Sequence, residues 1–293
     1  MVEVKDVGIV LFTDVTLIAV IVIELFDYCF PYRRRRDGNV TPYRRQGGMG
    51  LLRPTGGGGM GMLRPTGGRV GNRVIGSAEE YATAWTAGHF WMRLLEGEHV
   101  SSDVAVERGR AVWWRHASGI PGAGGTFDRW IVQAAGRPGL EAACGAWIGR
   151  HLGGYSGLLN LETIGGGIIE VHLRFADQWP DLYGAGWVAA LIRLYAEGRW
   201  GFDDSGRRDG YSVVLFGPSG GNWRHPPAGL VAEIAAMPGV SSVQVTFHED
   251  RAAELHAMPP GGFRLAIVNC WDLAAGRAAR LRLADWFGIA AAG

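Results

Sequence analysis

The chain has 293 residues, of which 47% are hydrophobic and 19% are charged, with 29 basic against 28 acidic side chains. This composition is too apolar for a disordered chain, and a net charge of +1 gives no electrostatic basis for nucleic-acid binding. The 47 glycines follow no collagen-like repeat, so we expect them in turns and in loops that approach a ligand.

The three cysteines, Cys29, Cys144 and Cys270, lie far apart in the chain, and none belongs to a metal-binding spacing. We therefore expect buried, reduced thiols, with neither a disulfide nor a structural zinc site. Lys5 is the only lysine, so a phosphate-binding side-chain cation further along the chain is expected to be arginine.

The first forty residues differ in composition from the rest of the chain. Residues 7–30 are almost continuously apolar, and four consecutive arginines follow at 33–36. An apolar run of this length with arginines behind it predicts a transmembrane helix, with residues 1–40 as an anchor at the cytoplasmic face of the membrane. Asp14, Glu24 and the β-branched residues between them also fit a buried strand or helix of a cytoplasmic protein. Both interpretations stay open.

Residues 41–60 are rich in glycine and begin an internal repeat. The sequence GMGLLRPTGG at 48–57 returns as GMGMLRPTGG at 59–68. Two copies are too few for a solenoid, so the first interpretation is a flexible linker. The second is that residues 62–65 form a short strand, followed by a glycine-rich turn that folds over phosphate groups.

The segment after the repeat is predicted to contain both helices and strands. A capping-box pattern from Ser77 to Glu80 predicts a helix over 78–88. Turn signals and apolar patterning predict four further elements: strands over 90–95, 100–106 and 110–115, and a helix over 140–152.

A β-hairpin is predicted next, with strands over 158–163 and 167–175 joined by a Gly-Gly turn. Side chains alternate between the two faces of a strand. The second strand therefore places three ionisable side chains on one face: Glu170, His172 and Arg174.

Glu162 lies on the facing strand of this hairpin and is expected beside Glu170. Two adjacent carboxylates are unfavourable unless they share a proton or a cation, and hard oxygen ligands favour Mg²⁺. The alternative is an ordinary solvated polar face of an antiparallel sheet.

The last third of the chain predicts a small α+β layer of order βαββα after an initial helix. The predicted elements are a helix over 186–195, a strand over 211–216, a helix over 228–236, strands over 240–247 and 263–269, and a helix over 273–287. Four tryptophans are expected in the core or at an interface, and not as stacking platforms for bases: Trp179, Trp187, Trp200 and Trp223.

The order of these elements and several motifs resembles the ATP-grasp superfamily. The counterparts of its phosphate-binding Lys-Pro strand and glycine-rich loop are Leu63-Arg64-Pro65 and residues 67–71. Glu98 ends the counterpart of its Gly-Glu turn. Glu162 and the Glu-Val-His-Leu-Arg sequence at 170–174 resemble its metal-binding glutamate and its Glu-x-Asn-x-Arg strand.

The resemblance covers residues 60–184, the ATP-binding half of the family, and we expect its front domain to be missing or replaced. It implies an ATP- and Mg²⁺-dependent ligase that phosphorylates a small-molecule carboxylate and passes the acylphosphate to an amine or thiol. The site residues that it implies are Glu162, Glu170 and His172 for Mg²⁺, Arg174 as a catalytic cation on the phosphoryl group, Arg64 for the phosphates and Glu98 for the ribose.

The predicted fold class is therefore α+β, with ATP-grasp-like antiparallel sheets and helices, followed by the small βαββα layer and preceded by the transmembrane helix if residues 7–30 form one. The predicted domains are a membrane anchor over 1–40, a linker over 41–60, an ATP-grasp-like domain over 61–184 and a C-terminal α+β domain over 185–293. The alternative function is a non-catalytic, membrane-anchored accessory subunit that retains the grasp fold, because the family's Lys and Asn are replaced by Arg and His.

Overall fold

The structure is a computed structural model that describes residues 61–65, 73–76, 80, 83–84, 89–253, 256 and 262–290. The predicted anchor, the linker, the glycine loop at 67–71 and the capping serine of the helix at 78–88 lie outside these residues. Among the described residues, no helix is both long and apolar enough to span a bilayer. The transmembrane helix over residues 7–30 stays a prediction.

Strands predominate in the described part of the chain. The strands are β1 (Gly61–Pro65), β2 (Arg73–Ile75), β3 (His89–Arg93), β4 (His99–Glu107), β5 (Arg110–Pro121), β6 (Phe127–Val132), β7 (Gly157–Ile164), β8 (Gly167–His172), β9 (Gly210–Gly217), β10 (Val240–Val245) and β11 (Phe263–Cys270). The α-helices are α1 (Pro138–His151), α2 (Trp187–Glu197), α3 (Ala228–Ala235) and α4 (Leu273–Phe287), and a 3-10 turn spans Pro180–Tyr183.

These strands form two antiparallel sheets. The smaller sheet has the order β2-β1-β3, and the larger has the order β10-β11-β9-β6-β5-β4-β7-β8. β8 and β10 are the edges of the larger sheet, so every strand between them hydrogen bonds on both sides.

Many predicted elements are confirmed, including the short strand of the second repeat copy, the hairpin and the closing helix. β5 differs, because it continues to Pro121 instead of ending near residue 115. β6 is not predicted from the sequence, since Asp128 and Arg129 interrupt its apolar alternation.

The segment from β9 onward has the predicted βαββα order, but it does not form a layer of its own. β9 pairs with β6, with Arg129 opposite Val213, so its strands extend the sheet that begins with β4 to β8. The predicted boundary between residues 184 and 185 therefore falls between strands of one continuous sheet. Pairing between strands about eighty residues apart leaves no local signal in the sequence.

Helices cover both faces of the larger sheet. On β4, Val104 and Val106 pack with α1, whereas Ala105 between them packs with α2 on the opposite face. α3 and α4 share the face of α1 and pack on β9, β10 and β11. The four tryptophans singled out in the sequence belong to the core: Trp179 and Trp187 are buried, and Trp200 and Trp223 pack against the buried clusters.

Asp103 is a buried carboxylate in the middle of β4. Its Oδ1 accepts hydrogen bonds from Asn160 Nδ2 (2.8 Å) and from the backbone N–H of Ala176 (2.9 Å), and its Oδ2 accepts one from the Tyr183 hydroxyl (2.6 Å). Burial raises the pKa of Asp103 to about 6, although these hydrogen bonds act in the opposite direction. One side chain thereby joins β7, the segment after β8 and the 3-10 turn to the centre of the sheet.

We expect Asp103→Asn to lower the free energy of unfolding by about 2–4 kcal/mol, because the amide presents a donor to groups that are themselves donors. The folded-state pKa of about 6 lies above the ordinary value of 3.8. Asp103 therefore contributes stability that is present at low pH and is lost as the pH rises through about 6. When unfolding is measured in urea, the difference in unfolding free energy between the wild type and Asp103→Asn should be larger at about pH 5 than at about pH 7.5.

Asp250→Asn, which removes an exposed carboxylate in the loop after β10, is the control and should change the free energy of unfolding by less than about 0.5 kcal/mol. Equal losses in the two variants, or a difference that does not depend on pH, would contradict the role assigned to Asp103.

Candidate functional site

The hairpin of β7 and β8 carries the candidate site, and two glycines determine its turn. Gly165 and Gly166 have φ angles of 56° and 83°, which side chains other than glycine rarely adopt and which two-residue hairpin loops require. A Cβ on Gly165 would also collide with the carbonyl oxygen of Glu96. The tip of the hairpin is therefore packed on the loop between β3 and β4.

The register of the hairpin places the two predicted carboxylates opposite each other. Glu162 pairs with Glu170, whereas Thr163 pairs with Ile168, so Ile169 is the extra residue of a β-bulge. Without that extra residue, Glu170 would face Leu161. The bulge is thus the local feature that aligns Glu162 with Glu170.

His172 completes a cluster with these two carboxylates. One ligand atom from each of Glu162, Glu170 and His172 lies within 4.8 Å of the others. His172 Nε2 lies 3.3 Å from Glu170 Oε1, and all three side chains are partly exposed, by 26%, 35% and 27%. The predicted proximity of these residues is present in the structure, whereas the metal itself stays a prediction.

His99, at the start of β4, belongs to the same cluster and is not identified from the sequence. Its Nε2 lies 3.0 Å from Glu162 Oε2, and its ring makes edge contacts with Phe127 and Trp130, with centroids 5.2 and 5.4 Å away. The signal in the sequence is the polar alternation of His99, Ser101 and Asp103 along one face of a central strand. Such a run is unusual where both faces of the strand are covered.

Positive groups around Glu162 favour its ionised form. Burial raises the pKa of Glu162, but the hydrogen bond with His99 and the charges of His99, His172 and Arg174 outweigh that effect, so the pKa is lowered. The charge of Arg174 also acts on Asp103. Arg174 is therefore close enough to both carboxylates to act on them electrostatically, although it lies just after the end of β8 and is exposed.

The donor set fits a divalent cation. Two carboxylates supply the hard oxygen ligands that Mg²⁺ takes, and the imidazole of His172 is a ligand that Mn²⁺ and later transition metals accept more readily. The cluster opens on one side, so a bound ion could keep free positions for phosphate oxygens.

Comparison with known proteins gives matches at the level of structure. No protein-family model and no curated protein matches the sequence. L-amino acid ligase from Bacillus licheniformis matches with a TM-score of 0.52 and 13% identity, over 77% of this chain and 61% of that one. N5-carboxyaminoimidazole ribonucleotide synthetase from Thermus thermophilus matches with a TM-score of 0.51 and 17% identity, over 80% and 63%.

N5-carboxyaminoimidazole synthase from Aspergillus clavatus gives a third match, with a TM-score of 0.51 and 11% identity, over 78% of this chain and 62% of that one. The chain therefore spans a little over three fifths of the length of each of these three proteins. All three are ATP-grasp enzymes. The chain has the ATP-grasp fold. The resemblance predicted from the sequence is confirmed at this level.

Two residues predicted to contact the nucleotide are not members of the cluster of Glu162, Glu170 and His172. Arg64 lies on β1 of the smaller sheet, where it pairs with Phe90. Glu98 lies in the loop before β4, and its carboxylate already accepts two hydrogen bonds of 2.7 Å from Arg137 and one of 2.5 Å from Ser118. The hydrogen bond from Arg137 lowers the pKa of Glu98. A ribose hydroxyl would have to compete with these donors.

A second polar arrangement, on the opposite face of the sheet, has the residue types of a catalytic triad, but its serine contacts Nδ1 of the histidine and its acid contacts Nε2, the reverse of the triad pattern. Ser102 Oγ lies 2.8 Å from His116 Nδ1, and His116 Nε2 lies 3.0 Å from Glu141 Oε1. Ser102 is completely buried and His116 is 1% exposed, so no substrate reaches the hydroxyl. These residues therefore join β4, β5 and α1, and they do not make this face of the ATP-grasp fold a hydrolase site.

His116 should make the folding stability depend on pH. Burial lowers the pKa of His116 below its ordinary value of 6.5, although Glu141 acts in the opposite direction. Its contribution is therefore present above about pH 6.5 and is lost as the pH falls below that value, where the unfolded chain takes up the proton first. Between about pH 7.5 and 5.5, we expect the wild-type protein to lose more unfolding free energy than His116→Gln does.

The comparison uses urea unfolding at both pH values, so that the titration of every other group cancels between the two proteins. His151→Gln, which replaces an exposed histidine at the end of α1, is the control and should follow the wild-type pH dependence. If the unfolding free energies of wild type and His116→Gln fall in parallel as the pH is lowered, His116 binds its proton as tightly in the folded chain as in the unfolded chain. That result would contradict the prediction.

Proposed function

We propose that this chain is an ATP- and divalent-cation-dependent carboxylate ligase of the ATP-grasp type, which activates a small-molecule acid as an acylphosphate. The observation that carries the proposal is the cluster of Glu162, Glu170 and His172 on one face of the larger sheet. Two of the structurally similar proteins are named as a ligase and a synthetase, and another is a carboxyaminoimidazole ribonucleotide synthase from Aspergillus clavatus complexed with ATP.

In the proposed site, Glu162 and Glu170 would hold the cation, with His172 as a further ligand. A bound Mg²⁺ would supply charge neutralisation for the triphosphate. Arg174 acts electrostatically on Glu162, and its guanidinium is suited to hold the transferred phosphoryl group in place as negative charge develops there. His99 keeps Glu162 ionised and oriented through the 3.0 Å hydrogen bond, so it acts as a positioning residue.

Arg64 and Glu98 are the proposed contacts to the phosphates and to the ribose. An arginine at the phosphate position preserves the positive charge and can bond to two phosphate oxygens at once. The acid that is activated and the amine or thiol that accepts it are small molecules in this proposal.

The second candidate is a non-catalytic accessory subunit that retains the fold. The engagement of Glu98 by Arg137 and Ser118 favours it, because this carboxylate is not free to receive a ribose hydroxyl in the arrangement seen here. The membrane-anchored form of this candidate depends on residues 7–30, which lie outside the described part of the chain.

The deciding experiment is calorimetric titration of the full chain with ATP, in the presence of Mg²⁺, of Mn²⁺ or of a chelator. We expect binding that requires the cation, and Glu170→Gln should raise the dissociation constant by about tenfold to a hundredfold, because it removes one anionic ligand. Glu233→Gln is the matched control, since it neutralises an exposed glutamate on α3 and should leave the affinity unchanged.

Release of ADP in the presence of a panel of carboxylic acids and amines separates the two candidates. Cation-dependent binding with acid-stimulated ADP release supports the ligase, and binding without ADP release supports the accessory subunit. Equal affinity with the cation and with the chelator, or an unchanged affinity in Glu170→Gln, would overturn the assignment of the cluster.

A further inference from the structure

A second concave site lies away from the carboxylate cluster. A cavity of about 520 Å³ opens between the 3-10 turn, the loop that leads into β9, and the adjoining ends of β10 and β11. Its walls include Asp181, Tyr183, Arg207, Arg208 and Trp271, none of which belongs to the candidate metal cluster. This volume lies within the range of small-molecule sites.

The walls of this cavity are held together by the buried side chain of Arg115, which reaches them from β5. Its Nη2 donates to the carbonyl oxygens of Leu182 (3.3 Å) and Arg208 (2.9 Å), and its Nη1 donates to Asp204 (3.4 Å). Arg115 is 2% exposed. Because one guanidinium bonds to both walls, the cavity is formed before any ligand enters it.

The two arginines that line the cavity are arranged to receive negative charge. The guanidinium of Arg208 stacks on the ring of Trp271 with a distance of 3.9 Å to the centroid, which fixes its position. Arg207 is 40% exposed, and its contact with Asp204 is long, at 3.7 Å. Asp204 is shared with Arg115, so it does not neutralise both of its partners.

The acidic residue of the walls, Asp181, is engaged by a neighbouring amide. Asp181 Oδ1 accepts a 2.6 Å hydrogen bond from Asn269 Nδ2, and its Oδ2 is buried. Gly184 and Ala185 also line the cavity, and they are followed by Gly186, which is the N-cap of α2. The positive end of this helix therefore adds to the field of the two arginines.

We propose that this cavity binds a small dianionic molecule, either a phosphate monoester or a dicarboxylate, through Arg207 and Arg208. Two guanidinium groups match two negative charges, and the volume accommodates the organic part of a metabolite as well as its anionic group. The cluster of Glu162 and Glu170 would repel such a ligand, so the two sites differ in the charge that they accept. The proposal does not depend on ATP binding.

The test is calorimetric titration of the full chain with ribose 5-phosphate, succinate and inorganic phosphate, without ATP or divalent cations and at fixed ionic strength. We expect one-to-one binding of at least one of the two organic dianions, tighter than that of inorganic phosphate. Arg208→Ala and Arg207→Ala should each raise the dissociation constant by about tenfold or more, because each removes a charge-assisted hydrogen-bond donor.

Arg199→Ala is the matched control, because it removes an exposed arginine in the loop after α2 and should leave binding unchanged. Arg207 is partly exposed, so its replacement keeps the fold even where Arg208→Ala does not. Glu170→Gln should bind the dianion as the wild type does, which separates this cavity from the proposed nucleotide site.

The relative affinities of ribose 5-phosphate and succinate show whether the site prefers a phosphate ester or a dicarboxylate. Binding of inorganic phosphate alone, or equal losses of affinity in Arg199→Ala and Arg207→Ala, would overturn the proposal, since either result describes a general attraction of anions to surface charge.

Discussion

A carboxylate such as that of Asp103 can remain in the interior of a sheet only if the surrounding chain supplies donors for its oxygens. Here the donors come from Asn160 on β7, from the backbone of Ala176 and from Tyr183. Each donor belongs to a different segment, so all of these segments have fixed positions relative to β4. Tyr183 connects the two sites, since it lines the cavity and its hydroxyl bonds to Asp103, whose partner Asn160 pairs with His172 across the hairpin.

The two carboxylates of the hairpin differ from Asp103, because they lie beside each other and are balanced by positively charged side chains. Glu162 and Glu170 face each other, and their repulsion is offset by His99, His172 and Arg174. This arrangement balances the charges without a bound ion and leaves two anionic groups on a partly exposed surface. A cation bound between the two carboxylates would offset their repulsion, as the neighbouring histidines and Arg174 do without it.

Local patterns in the sequence are sufficient for some of these features. The Gly-Gly turn and the alternation around Glu170 specify the hairpin and place Glu170 and His172 on one face, because both signals lie within a few residues. The pairing of Glu170 with Glu162 depends on the bulge at Ile169, which neither signal specifies. His99 contacts a residue 63 positions later, and β6 pairs with β9 about eighty residues away, so neither leaves a local pattern. The cavity between Arg207 and Trp271 depends on the buried Arg115, whose partners are likewise remote in sequence.

The location of Glu170 and His172 on β8 has a further consequence. Among the strands that the structure describes, β8 is bonded to the sheet through β7 alone, and every one of its residues is only half-buried. Fraying of such an edge needs less free energy than unfolding of the whole sheet, so the two residues can leave the cluster while the core stays intact. A ligand that contacts both β7 and β8 would stabilise the attachment of β8 to the sheet. Ligand binding at the site and the pairing of β8 with β7 are then thermodynamically coupled, so each one favours the other.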